Sequence, residues 1–140
     1  EQLFAMCQSK DPAIREKAIK GWAYYEIRMC FLDMTDEDCG KIIELYDMTP
    51  FSVLENHYMM HNCFLKEGQL LNNIDKIAHI PSTIVNGRFD VICPPKTAAL
   101  LASKLKTVKI EFPVAGHSQN EPGNTRALVK GIKWLRKQIE

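Results

Sequence analysis

Little in this sequence points to a membrane, a nucleic acid or a metal. No apolar run approaches the roughly eighteen residues that a membrane-spanning helix needs, and no basic-then-apolar leader pattern opens the chain. Charge of one sign is nearly balanced. Eighteen Lys and Arg against seventeen Asp and Glu leave a net charge of +1, without the basic field of a nucleic-acid or anionic-membrane binder. The five cysteines, Cys7, Cys30, Cys39, Cys63 and Cys93, include no C-x-x-C pair, so their spacing does not suit zinc. An odd, dispersed set fits thiols in a reducing compartment, and the cytoplasm is the expected location. Repeats and low-complexity segments are absent. The first residue is Glu1 rather than Met, which reads as a fragment or a processed chain.

What is present suffices for a core: 140 residues, 46% hydrophobic and 25% charged, are ordinary for a soluble globular protein. The pattern changes between residues 66 and 80, from all-helical to strand, helix, strand, helix. In the first part, Asp11 as N-cap and Pro12 as first helical residue predict a helix from Ser9 to about Met29. Ile14, Ala18, Trp22, Tyr25 and Met29 fall on one face of it. Gly21 costs such a helix about 1 kcal/mol relative to alanine, which suggests a packing reason. Glu26 lies one turn after Trp22, beside the apolar face, where a boundary residue reaching solvent is the plain reading. Thr35 caps a second helix whose first turn, Asp36, Glu37 and Asp38, suits the helix dipole; it lacks the ligand pattern of a calcium loop. Thr49 and Pro50 open a third, with Phe51, Leu54, Tyr58 and His61 on one face and Glu55 beside it. His57 and His61 are one turn apart but have no evident third ligand, so they read as structural. QLLNNIDKIAHI is a further amphipathic stretch.

The second part is organised around Ile80 to Pro95, IPSTIVNGRFDVICPP. Thr83, Ile84 and Val85 predict a short strand covered on both faces. Gly87 breaks it, Asp90 follows its end, and Pro94 and Pro95 start a helix, PPKTAALLASKL. A second strand, TVKIEF, leads to VAGHS and His117; a last helix begins near Asn124 or Thr125. Strands joined by a helix should be parallel, and functional side chains gather at the carboxyl ends of strands in open α/β sheets. An acid after one strand and a histidine after the next are the second and third members of a Ser…Asp…His order. In that chemistry histidine moves the proton and the acid fixes its tautomer. The first member is lacking: none of the seven glycines supplies a G-x-S-x-G elbow. Ser118 adjoins the histidine and cannot easily turn onto its ring. Cys93, close to Asp90, has no elbow around it.

Four segments, GWAYYE, ENHYM followed by CFLKEGQLL, GRFDVICP and AGHSQNEPG, together resemble the proline iminopeptidase (prolyl aminopeptidase) family of α/β-hydrolases. The similarity runs over nearly the whole chain. It implies an α/β architecture, the C-terminal part of an α/β-hydrolase fold. Residues 1–72 would be a helical cap segment, and 73–140 the last parallel strands and helices of the core. It implies a serine aminopeptidase that releases N-terminal proline from peptides without metal or organic cofactor. Asp90 and His117 would be its catalytic acid and histidine. Its partners would be a peptide with a free N-terminal proline and a missing N-terminal half carrying the serine. In this family the glutamate closing W-x-x-x-E and that of ENHY bind the substrate's α-amino group; these are Glu26 and Glu55 here. The chemistry agrees, because a prolyl ammonium has two protons and two carboxylates can accept both. A blocked amine would leave two desolvated acids without a partner. The family often has an aromatic at Tyr25 and a cysteine at Cys93, where thiol reagents would block the site without Cys93 acting as nucleophile.

Departures lie at Asn86, where histidine or glutamine is common, at Val114, where glycine is usual, and at Met59, where phenylalanine is. The stretch between Cys30 and Phe51 matches poorly. Two alternatives remain: another hydrolase of the same fold, such as an esterase or epoxide hydrolase, and a non-catalytic remnant or interaction module. An ester or epoxide offers no ammonium for Glu26 and Glu55. Half a sheet also exposes strand edges, so self-association is expected if the other half is lacking.

Overall fold

The chain opens with a short helix, α1 (Gln2–Cys7), and its next start signal acts as the sequence suggests. A computed structural model describes residues 1–140. In it the Asp11 carboxylate accepts the Ala13 amide at 2.9 Å, and α2 runs Pro12–Cys30. Two compact units form, one of Glu1–Arg28 with Asp33–Glu67, the other of Met29–Leu32 with Gly68–Glu140. None of the helices is long and apolar enough to cross a membrane.

The first unit holds α1, most of α2, α3 (Asp36–Leu45) and α4 (Thr49–Met60). Thr35 caps α3: its hydroxyl accepts the Asp38 amide at 3.1 Å and donates to the Asp38 carboxylate at 2.7 Å. The N-cap of α4 is Met48, one residue earlier than expected, so Thr49 is already helical; Asp47 accepts the Thr49 amide at 2.9 Å. Cys7, Ala18 and Ile19 form the core, with Leu3, Met6, Met48 and Val53 packed on it.

The buried faces differ from those the periodicity predicts. In α2 the buried residues are Ala18, Ile19, Ala23 and Glu26, while Tyr25 is 54% exposed. In α4 they are Ser52 and Asn56, and Phe51, Leu54 and Tyr58 are exposed. The physical reason is the close approach of small side chains. Ser52 donates its hydroxyl to the Ile19 carbonyl at 3.1 Å, and Asn56 donates to the Ser52 carbonyl at 2.9 Å. Both polar groups are thereby satisfied inside. Gly21 has no packing reason, because a Cβ built there meets nothing within 4 Å. After α4, Asn62, Cys63 and Phe64 all take left-handed φ values of 49°, 52° and 57°. His61 stacks on Phe64 with centroids 5.2 Å apart.

In the second unit the expected amphipathic stretch splits into α5 (Gln69–Asn72) and a single 3₁₀ turn, Ile74–Lys76. The side-chain amide of Asn73 takes the Gln69 carbonyl at 2.7 Å, and its backbone N–H turns to Leu70. Side-chain competition of this kind ends helices. The strand β1 (Ser82–Val85), the helix α6 (Pro95–Ala102) and the strand β2 (Val108–Glu111) follow. The strands pair in parallel, with Ile84 opposite Ile110. Both are half-buried along their length, not covered on both faces as the β-branched run suggested, because the sheet has two strands. The last helix, α7 (Pro122–Ile139), starts earlier than expected, since Pro122 needs no backbone donor in a first turn. It packs on β1 at Gly131, where a Cβ would lie 2.4 Å from the Thr83 hydroxyl. Lys130 and Lys109 approach Glu111 at 3.1 and 3.3 Å. The hydrogen bond from Lys130 foremost, with that from Lys109, holds the Glu111 carboxyl below the usual range.

Candidate active site

The two segments that leave the strand ends stay side by side. Asn86 donates its backbone N–H to Glu111, Arg88 to Pro113 and Phe89 to Ala115, at 3.2, 2.8 and 3.0 Å. Gly87 sits at the closest approach. A Cβ there would lie 1.9 Å from the Gly116 carbonyl oxygen, so only glycine lets the segments meet. The Asp90 amide then turns back to the Gly87 carbonyl at 3.2 Å.

This geometry brings Asp90 and His117 together: the carboxylate Oδ2 lies 2.9 Å from the imidazole Nδ1. The Asp90 side chain is 5% exposed and that of His117 38%, so the acid is inside and the ring reaches out. Oδ1 accepts the amides of Ile92 and Cys93 at 3.0 and 2.8 Å. Oδ2 also accepts the side-chain amide of Asn86 at 3.3 Å. An ionised carboxylate only accepts, so Nδ1 of the neutral ring carries the proton and Nε2 is left as an acceptor. That arrangement can take a proton from a hydroxyl or water and return it to a leaving group. A cavity of about 260 Å³ opens here, lined by Val85, Asn86, Asp90, Cys93 and His117 among others. Cys93 shares this cavity and secures the acid through its backbone.

The other singled-out residues lie in the first unit. The indole N–H of Trp22 donates to Glu55 Oε2 at 2.7 Å, and the Trp22 and Tyr25 rings are 5.8 Å apart. Glu26 is 7% exposed, which corrects its reading as a boundary residue that reaches solvent. His57 and His61 pack with centroids 4.4 Å apart, and His61 Nδ1 lies 2.7 Å from the His57 carbonyl.

Reading the sequence missed three residues around the pair. Asn86, noted only as a departure, donates to the Gly87 and Cys93 carbonyls at 3.1 and 3.2 Å as well as to Asp90. Glu121 and Asn124 hold the loop that bears His117. Their targets are main-chain atoms five and eight residues away, and no side-chain periodicity marks such contacts. The one signal was local: an acid immediately before the proline that opens a helix.

No protein-family profile matches the chain. Individual proteins do. It is 36% identical over 124 residues to a proline iminopeptidase of Xanthomonas citri, covering 87% of this chain and 40% of that protein. To a probable proline iminopeptidase of Leptolyngbya boryana it is 38% identical over 123 residues, 86% of this chain and 38% of the relative. To a proline iminopeptidase of Arabidopsis thaliana the figures are 36% over 123 residues, 86% and 32%. The chain thus spans well under half the length of the curated relatives it matches.

Proposed function

Because the chain is related to the proline iminopeptidases over most of its length, we propose that it is the C-terminal portion of a serine aminopeptidase that releases N-terminal proline from peptides. In this reading residues 1–72 are a helical cap segment and 73–140 the last part of an α/β-hydrolase core. The observation that carries it is the 2.9 Å contact between buried Asp90 and half-exposed His117. His117 acts as the proton carrier and Asp90 as the group that fixes its tautomer and stabilises the imidazolium. The nucleophilic serine comes from a segment outside this sequence, which has no G-x-S-x-G. Glu26 and Glu55 accept the protons of the prolyl ammonium, Tyr25 contributes an aromatic wall, and Cys93 lines the approach to the acid. The buried carboxylate of Glu26 and the indole bond to Glu55 support amine recognition over an ester or epoxide substrate. The enzyme needs no metal or organic cofactor for this chemistry. The five thiols agree with a cytoplasmic setting.

Two partners follow from this reading, the N-terminal half and the peptide substrate. The chain alone has no elbow serine for His117 to activate, so it should hydrolyse no prolyl amide and should self-associate unless the other half covers it. The test is to express the chain together with any upstream coding sequence. Turnover of proline 4-nitroanilide and fluorophosphonate labelling of an upstream serine are expected, both absent from the chain alone. Turnover by the isolated chain would overturn the assignment of the nucleophile. A labelled serine without prolyl turnover would leave only a generic hydrolase.

A further inference from the structure

The residues on either side of His117 are held at more points than a surface loop needs. Glu121 Oε1 accepts the Gly116 amide at 3.0 Å and the Leu32 amide at 2.6 Å. The Asn124 side-chain amide donates to the Gly116 carbonyl at 3.0 Å and to the Ser118 carbonyl at 2.8 Å. Ser118 itself donates its backbone N–H to the Cys30 carbonyl at 2.7 Å. Four main-chain groups of the two residues flanking the histidine are therefore fixed, three of them by two side chains from the start of α7. There is little slack, because a Cβ on Gly116 would lie 2.9 Å from that glutamate oxygen.

Asn124 shows that the arrangement has a cost. It is 3% exposed, and its Oδ1 is buried with no hydrogen-bond partner. A buried orphan acceptor destabilises a fold and calls for an explanation. Only a side chain with two N–H donors can bridge two carbonyls here, and an amide brings its oxygen with it. Packing alone would be better served by an apolar residue of similar size. The asparagine makes sense as a device for the loop's geometry.

We infer that Glu121 and Asn124 are positioning residues that set His117 against Asp90 by clamping the peptide groups on both sides of the histidine. The role deepens the hydrolase reading and rests on it for its purpose, but not for its test. With the clamp in place the ring has one orientation, the Nδ1 proton stays on the Asp90 carboxylate, and Nε2 faces the cavity. Without it the ring samples orientations in which that bond is broken, and the proton is shared between the two nitrogens.

The tautomer of His117 can be read with no substrate. The full chain, labelled with ¹⁵N-histidine, shows the ring nitrogens by NMR at a pH where imidazole is neutral, and His117→Gln assigns the signal. The wild-type chain should show a single Nδ1–H tautomer with a slowly exchanging proton. Glu121→Ala and Asn124→Leu should give averaged ring shifts and at least tenfold faster exchange of that proton. Glu121→Gln, whose amide oxygen can accept the same N–H groups, should restore the wild-type signature. Variants that lose thermal stability yet keep the single tautomer would show a structural role only and overturn the inference. So would mixed tautomers in the wild-type chain. If Asn124→Leu fails to fold, Glu121→Ala decides alone, and failure of both to fold would also overturn it. Lack of prolyl turnover in the complete enzyme would sink the function proposed above and leave this result untouched.

Discussion

The two units bury different things. The turn around Asp90 and His117 is an assembly of main-chain groups, each met by a named partner, with glycine where a Cβ would lie 1.9 Å from a carbonyl oxygen. The helical unit has a small core of Cys7, Ala18 and Ile19 and leaves Phe51, Leu54 and Tyr58 exposed. One region is specified by named main-chain contacts that leave no room for a Cβ at Gly87, the other by a small core with large apolar side chains left in the open. Geometry is therefore strictest where proton transfer is proposed, and tolerance to change should follow the same division.

The comparison is broken most directly at the acid. Asp90→Asn keeps the shape but replaces an acceptor with an amide that can donate, which favours the wrong ring tautomer. In the complete enzyme kcat should fall by about 10⁴-fold, for prolyl substrates and for small acylating reagents alike. A fall confined to prolyl substrates would place Asp90 in recognition instead.

Next in size is Gly87→Ala. Its Cβ would overlap the Gly116 and Ala115 carbonyl oxygens, at 1.9 and 2.5 Å, so the two segments must part. The upper end of overpacking costs, about 3 kcal/mol, is expected, measured by urea unfolding of the chain. The His117 ring signals should move with it. A cost under about 0.5 kcal/mol, the range of neutral surface changes, would mean that the turn is far looser than its contacts suggest.

The glutamates test whether the helical unit has any strict site of its own. In the complete enzyme Glu26→Gln or Glu55→Gln should lower kcat/KM for prolyl substrates by roughly 10- to 100-fold. That range follows from about 1.5–3 kcal/mol per charge-assisted contact. Acylation by a reagent without an ammonium should hardly change. Trp22→Phe, which removes the indole donor to Glu55, should raise KM more than it lowers kcat. If all three variants match the parent on both reactions, the helical unit holds no recognition site.

What could be read from the sequence follows the same line. Start signals acted through adjacent residues, so Asp11, Pro12, Thr35 and Pro95 set their helices as expected. The first strand was legible from its β-branched run, Thr83 to Val85, the second as the segment TVKIEF, and the parallel pairing from the helix between them. The apolar faces of α2 and α4 were not. Periodicity marks a stripe, whereas burial depends on which residues allow close approach, and here Ala23, Ser52 and Asn56 did. The Trp22–Glu55 bond joins residues 33 positions apart, and no local pattern encodes such a pairing. The meeting of Asp90 with His117 was legible only as two strand ends; the roles of Glu121 and Asn124 were hidden because they act on backbone atoms.

The smallest expected effect sharpens the comparison from its tolerant side. Gly21 lies in the middle of α2, and a Cβ there would meet nothing within 4 Å. Glycine at such a position loses more backbone entropy on folding than alanine and adds no contact. Gly21→Ala should therefore stabilise the chain by about 0.5–1 kcal/mol, raising the thermal midpoint by roughly 3 °C for a domain of this size. The same chemical change, glycine to alanine, thus carries opposite signs at positions 21 and 87. One adds a methyl group to open surface, the other drives it into a carbonyl. Calorimetry of the two variants side by side checks both. A destabilised Gly21→Ala chain would show that the exposed middle of α2 is covered in solution by another surface, and the helical unit would then be as strictly specified as the turn.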